Sequence, residues 1–246
     1  MNKGLPVFLH LIIGLFSLSA SAQTKLQDSL IFQSAISNTL AVYYSQLGDQ
    51  SPLYNGSLYT PTGFTFRRGI PYFPSEQFDS GSVVYDGITF GHLPLLYEDL
   101  RQLLITKNDN YLLQLVNPRI RSFFISGHSF VRLVADSLNP GISRTGFYEV
   151  LYPGPSSVLK ETFKKIIEQP SIEEYTVLRF IEVSYDYFIK SGNTYKRVKS
   201  AGQLTDILHD HQKEIRRFMK KNKLNFRRDR DNTLIQVAGY YDQITK

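Results

Sequence analysis

Four places in the chain carry residues that could do chemistry. Gly127-His128-Ser129-Phe130-Val131 stands nearest to a serine-hydrolase elbow, in which Gly, any residue, Ser, any residue, Gly follows a strand and opens a helix. A strand is expected before it, at Phe123 to Ile125, but Val131 occupies the place of the second glycine. Val131, Leu133 and Val134 then continue as strand. A strand-turn serine is the stronger reading, and an exported serine hydrolase using Ser129 is the enzyme-class alternative. His209-Asp210-His211 offers imidazole and carboxylate, both zinc ligands. Helical positions two apart point in different directions, whereas ligand pairs on a helix sit three or four apart, so no metal is assigned. Glu98-Asp99 and Glu173-Glu174 supply carboxylates, yet acid–base catalysis needs two groups facing each other across a substrate. Adjacent residues point apart, and both pairs are expected in solvated turns. The glycines mark hairpins instead of strand-to-helix junctions, so no phosphate loop is evident. No catalytic residue and no cofactor is assigned.

The fourth place is basic. Between Lys213 and Arg230 nine Lys and Arg residues stand against Glu214 and Asp229, a local +7 in a chain whose total is +6. The candidate binding residues are Lys213, Arg216, Arg217, Lys220 and Lys221 on one helix, with Arg227 and Arg228 after a break. Together they can hold an anionic surface through several weak charge contacts. Nucleic acid is the usual partner of such a patch. Export makes anionic envelope lipid, lipopolysaccharide or an acidic protein the better expectation. The plainer alternative is the solvated outer face of a packed amphipathic helix.

Export is read from the N-terminus. Met1-Asn2-Lys3 carries a positive charge, Leu5 to Leu18 is largely apolar, and Ala20-Ser21-Ala22 supplies small residues before a cut. Residues 1–22 therefore read as a signal peptide; the apolar run is shorter than the ~20 residues that span a bilayer. No later apolar run is long enough to span, and the mature chain is expected to be soluble and periplasmic or secreted. The absence of cysteine removes disulfides, thiolate zinc sites, cysteine nucleophiles and a lipidated cysteine.

The elements that position these residues are mostly strands. Tyr and Phe, 16 and 17 of the 246 residues, suit pleated, half-buried surfaces. Val83 to Tyr85 and Ile88 to Phe90 flank Asp86-Gly87, the strongest short hairpin signal in the chain. Runs follow at Leu93 to Tyr97, Leu103 to Thr106, Tyr111 to Val116, Ile120 to Ile125 and Phe130 to Leu133. Turn signals every ~8–12 residues predict consecutive antiparallel strands. Asn55-Gly56 predicts a second reversal, followed by a Pro-rich connector from Pro61 to Gly81 along the edge of the sheet. Gly146 to Tyr152, Tyr175 to Val183, Tyr185 to Ile189 and Thr194 to Val198 continue the pattern. Ser157 to Glu168 suits strand or helix by periodicity, and its neighbours favour strand. Asp28 to Leu47 has a loose helical pattern. Ser200 with Gln203 has the form of a capping box, and Leu204, Ile207, Leu208, His211, Ile215 and Phe218 follow at helical spacing. A last helix carries Leu234, Val237, Ala238, Tyr241 and Ile244.

The segments SPLYNGSLY at Ser51 to Tyr59, GSVVYDGITFGHLPLLYE at Gly81 to Glu98, GFYEVLYPG at Gly146 to Gly154, and the ending KNKLNFRRDRDNTLIQVAGYYDQI resemble a family of exported proteins of Bacteroidota that has no assigned activity. The resemblance implies a Gram-negative envelope setting. The expected fold is α+β: residues 23–246 form one domain, with a helix in 23–48, an antiparallel β meander over 49–199 curved into a sheet or partial barrel, and two C-terminal helices in a basic tail over 200–246. The expected role is a non-enzymatic binding or structural component of the envelope. A carrier of an apolar ligand within the curved sheet is a further alternative.

Overall fold

Asp86 and Gly87 both take positive φ, 49° and 79°, the two-residue reversal whose twist matches the strands it joins. Around it β2 (Asp79–Tyr85) pairs with β3 (Ile88–Glu98), and the sheet grows outward from both sides of this hairpin. The computed structural model describes residues 51–108 and 111–245, together with Thr39, Leu40, Tyr43 and Leu47. The remaining strands are β1 (Ser57–Leu58), β4 (Leu103–Lys107), β5 (Leu112–Gln114), β6 (Ile120–Ile125), β7 (His128–Leu133), β8 (Gly146–Tyr152), β9 (Val158–Ser171), β10 (Thr176–Ser191) and β11 (Thr194–Arg197). They form one antiparallel sheet of 11 strands in the order β1-β5-β4-β3-β2-β6-β7-β8-β9-β10-β11.

The expected α+β fold is corrected in several respects. The sheet is open, with β1 and β11 at its edges, and is not a partial barrel. Pairing is not neighbour to neighbour throughout. The chain leaves β5 through Leu115–Arg119 and lays β6 against β2, because β2 has its second edge free and Val83 meets Phe123 there. Asn55-Gly56 does not fold back on the preceding residues; β1 pairs with β5, and a Cβ on Gly56 would lie 2.0 Å from the Gln114 carbonyl oxygen. The described elements begin with a 3₁₀ turn at Pro52–Tyr54; the expected N-terminal helix falls on 23–48, which lies, apart from the four residues named above, outside the described residues, as does the signal segment 1–22.

The C-terminal region holds three helices, not two: α1 (Ala201–Ile207), α2 (Gln212–Lys221) and α3 (Arg230–Ile244). The Ser200 hydroxyl accepts from the Gln203 N–H at 3.1 Å and starts α1 as its sequence predicts. The helix stops at Leu208, and His209–His211 forms a 3₁₀ turn. Weak helix formers occupy that turn, and Asp210 is drawn outward to accept from the Tyr241 hydroxyl at 2.9 Å. The two pieces then bury Leu204, Leu208 and Ile215 against Leu234 and Val237 of α3, an arrangement one straight rod does not need.

Register places side chains on faces. Phe130, Glu149, Lys160 and Tyr187 are successive cross-strand partners from β7 to β10, so they share one face. That face carries two apolar clusters. One gathers Tyr97, Phe123, Phe130 and Phe147, with the Phe123 and Phe130 rings stacked at 4.7 Å. The other joins Val158 and Ile189 to the helices. Between them runs a polar row: His128 Nδ1 lies 2.6 Å from Glu149, Lys160 lies 3.3 Å from Glu149 and 2.7 Å from Asp231, and the Tyr187 hydroxyl donates to Asp231 at 2.6 Å.

The sheet splits next to this row. Pairing of β8 with β9 ends at Glu149 and Lys160, yet β9 runs on to Ser171, paired with β10 alone. The connector before β2 ties the free hairpin back. Arg67 N–H donates to the Arg179 carbonyl, Ile181 N–H donates to the Arg68 carbonyl, and Phe73 N–H donates to the Tyr97 carbonyl. Beneath this strap Lys164 Nζ donates to the carbonyls of Ile70 and Tyr72 at 2.9 and 2.8 Å and lies 2.7 Å from Asp99 Oδ1. Lys164 and Asp99 are both buried, so breaking the pair strands a charge. Lys164→Met is expected to lower unfolding free energy at pH 8 by about 3–5 kcal/mol, as removal of one partner of a buried pair does. The urea midpoint measures the loss, which shrinks in acid as Asp99 takes up a proton.

Candidate functional site

Where β8 and β9 part, a cleft of about 420 Å³ opens. Its walls come from the four-residue turn between β3 and β4 (Asp99 to Gln102), the start of β8 at Gly146 and Phe147, and β9 from Glu161 to Lys164, with Asn117, Arg132 and Arg144 completing it. Gln102 organises the mouth from a left-handed backbone, φ 56°. Its side-chain oxygen accepts from the Phe147 N–H at 2.9 Å, the bond that β9 would otherwise supply, and its carbonyl accepts from Asn117 Nδ2 at 2.7 Å. A Cβ at Gly146 would lie 2.4 Å from that same side-chain oxygen, so only glycine lets Gln102 close so tightly.

The cleft is polar, and several of its buried acceptors lack an aligned donor among the described residues. Asp99 and Glu161 are 3% and 2% exposed. Lys164 Nζ lies 2.7 Å from Asp99 Oδ1 as an ion pair, and among the described residues both Asp99 oxygens, Asn117 Oδ1 and Glu161 Oε2 have no aligned hydrogen-bond partner. Arg144 stands 3.5 Å over the Phe163 ring and 3.4 Å from Glu161 Oε1. Burial pushes the Asp99 carboxyl up to about 6, with Lys164 opposing and Glu98 adding to the shift. Burial pushes Glu161 up to about 7, opposed by Arg144 and Arg197 and reinforced by Asp186. Beside the cleft, Glu98 is fully buried, accepting from Arg101 Nε and from the Tyr59 hydroxyl at 2.6 Å each.

The expectation that Glu98-Asp99 sits in a solvated turn is thus overturned. The turn is buried because the strap folds over it: Leu100 N–H donates to the Pro71 carbonyl, and Tyr72 meets Tyr59. Glu173-Glu174 does lie exposed in the β9–β10 turn, where Glu174 is 3.4 Å from Arg67. Sequence reading missed Glu161, Arg132 and Asn117 because each looks like an ordinary polar residue of an alternating strand or its flank. Their convergence depends on β8 and β9 parting, which no local pattern encodes.

Ser129 and His128 are sequence neighbours on opposite faces of β7. The imidazole turns inward to Glu149, while Ser129 lies exposed beside Phe124 in an outer groove of about 480 Å³. Among the described residues no imidazole bonds to the Ser129 hydroxyl, and the one beside it in sequence is turned to Glu149 instead. The carrier reading meets a filled interior, since packed aromatic rings occupy the apolar face and the groove opens on the other side. His209, Asp210 and His211 lie on the 3₁₀ turn, with His211 edge-on to Tyr241 at 6.0 Å.

The basic residues fare differently. Lys213, Arg216, Arg217, Lys220 and Lys221 on α2, and Arg227 and Arg228 in the turn before α3, are all exposed. Ile215 is buried and Phe218 stacks on Tyr240 at 4.1 Å, so the charges project from the outer side of α2. Among the described residues none of these seven side chains forms an ion pair; Asp229 is used as the cap of α3, and Asp231 pairs inward with Lys160. No protein-family model, curated protein or solved structure matches the chain.

The two raised carboxyls set a pH dependence. Asp99 and Glu161 hold a proton more tightly folded than unfolded, so their contribution to stability is complete below the ordinary carboxylate range. It is lost as pH rises through about 6 and about 7 respectively. Arg144, Tyr148, Asp186 and Arg197 face Glu161 and stay constant in a comparison with Glu161→Gln. In urea titrations at pH 5 and pH 8, the fall in unfolding free energy is expected to be smaller in the variant by ~2 kcal/mol.

Proposed function

We propose that this is an exported envelope protein whose α2 region binds a surface of anionic lipid head groups, without catalysis. The observation that carries the reading is the set of seven exposed basic side chains, none in an ion pair among the described residues. A merely solvated helix face ordinarily mixes both signs. Here the excess from Lys213 to Arg230 is +7, with Asp229 spent on a cap and Asp231 on an inward pair, so that Glu214 is the one acid on α2. Each basic residue near an anionic bilayer contributes about 1 kcal/mol, so seven support reversible attachment with a dissociation constant on the order of 10 μM. No helix of the described residues is long and apolar enough to cross a membrane, and contact through the head groups needs none. An exported chain meets lipid, lipopolysaccharide or acidic protein, not nucleic acid, which favours this partner over the commoner one.

Retention on vesicles containing phosphatidylglycerol is expected at physiological salt and lost at 1 M salt, where the screening length falls to about 3 Å. The triple change Arg216→Gln, Arg217→Gln, Lys220→Gln is expected to cut retention at least tenfold while altering stability by less than ~0.5 kcal/mol, since the three side chains are exposed. Equal retention of wild type and variant would remove the reading.

A further inference from the structure

We propose that the cleft between β8 and β9 binds a saccharide, with Asn117, Asp99 and Glu161 accepting its hydroxyl hydrogens and Arg132 and Arg144 donating to its oxygens. Of the five buried side-chain polar atoms left without a hydrogen-bond partner among the described residues, four line this one cleft: Asp99 Oδ1 and Oδ2, Asn117 Oδ1 and Glu161 Oε2. A buried acceptor without a donor costs about 1–3 kcal/mol, and such groups are rare, so four in one place point to something that supplies donors. The opening is not a packing accident. A turn held by a left-handed Gln102, a side chain satisfying the Phe147 N–H, and a glycine at 146 together keep β8 and β9 apart.

The walls decide the class of ligand. An anion would satisfy Arg132, whose side chain forms no hydrogen bond or ion pair among the described residues, but would leave the four acceptors unpaired. An ammonium or metal cation would meet the acceptors, but Arg132, Arg144 and Lys164 oppose it and Lys164 already neutralises Asp99. Hydroxyl groups donate and accept at once, so a polyhydroxylated ring satisfies both sets. A volume of about 420 Å³ falls within the usual range of small-molecule sites. Arg144 and Phe163 supply a flat wall at one side.

The test uses the whole exported chain and a fixed panel: glucose, galactose, N-acetylglucosamine, maltotriose and chitotriose, with inorganic phosphate and ethanolamine as the anionic and cationic probes. Saturable shifts of the Gly146, Phe147 and Thr162 amide signals by at least one sugar, and by neither probe, are expected. Tighter binding of a trisaccharide than of its monosaccharide assigns the ligand to a glycan chain; equal binding assigns it to a free sugar. Arg132→Gln and Glu161→Gln, chosen because one residue is unpaired and the other change is isosteric, are each expected to weaken the sugar at least tenfold. Shifts by phosphate or ethanolamine alone, no shifts with any of the five sugars, or undiminished binding in both folded variants would overturn the proposal. The vesicle measurement reads a different surface, so either result stands without the other.

Discussion

A lysine buried beneath a strap of irregular chain holds this molecule's two halves together. Lys164 belongs to the long β9–β10 hairpin, Asp99 to the turn ending β3, and the carbonyls of Ile70 and Tyr72 to the connector crossing between them. Removing a lysine from water costs several kcal/mol unless its charge is met, and two carbonyls of the connector together with the Asp99 carboxylate, an ion-pair contact, meet it. The connector therefore cannot drift, although it has almost no ladder pairing of its own. Phe73 and Arg68 touch the sheet through single bridges to Tyr97 and Phe180.

That clamp gives meaning to the polar groups around it. Once the hairpin is tied to the connector, β9 need not stay zipped to β8, and its next residues face a gap instead of a neighbour. Glu161 and Asp99 then remain buried without the donors a ladder or an open surface would provide. The face of β9 opposite Glu161 holds a polar line, from His128 through Glu149 and Lys160 to Asp231, which separates the aromatic cluster from the helical one. Register explains why it is continuous: Glu149 and Lys160 are direct partners, and Lys160 is opposite Tyr187. His128 joins them diagonally, two positions from Phe130, which stands opposite Glu149.

Much of this was legible residue by residue. Asp86-Gly87 specifies its reversal by backbone preference, the capping residue Ser200 starts its helix, and apolar patterning places β4, β5, β6, β7, β8 and β11 within two positions of where they lie, whereas the runs expected at 88–90 and 93–97 are one strand, β3, and those at 175–183 and 185–189 are one strand, β10. The ambiguous stretch from Ser157 is strand, as its neighbours suggested. Legibility stopped where distant segments meet. Nothing near Ile120 says that its strand joins β2, because partner choice depends on which edge is free and not on the strand itself. Glu98-Asp99 read as surface residues since charge normally seeks water, and only the strap, folded over from 25 residues away or more, makes that turn an interior one. The basic helix was readable because helical spacing is local. The cleft was not, because it is the absence of a contact.

The unzipped side of β9 has one more consequence. From Glu161 to Ser171 that border has no strand beside it among the described residues, which leaves a row of amide and carbonyl groups able to recruit a foreign chain. Lys165 and Glu168, held in ion pairs with Glu182 and Arg179 of β10, and Pro170, which lacks an N–H, blunt that border. The chain thus keeps a gap in its architecture without offering a template for runaway polymerisation.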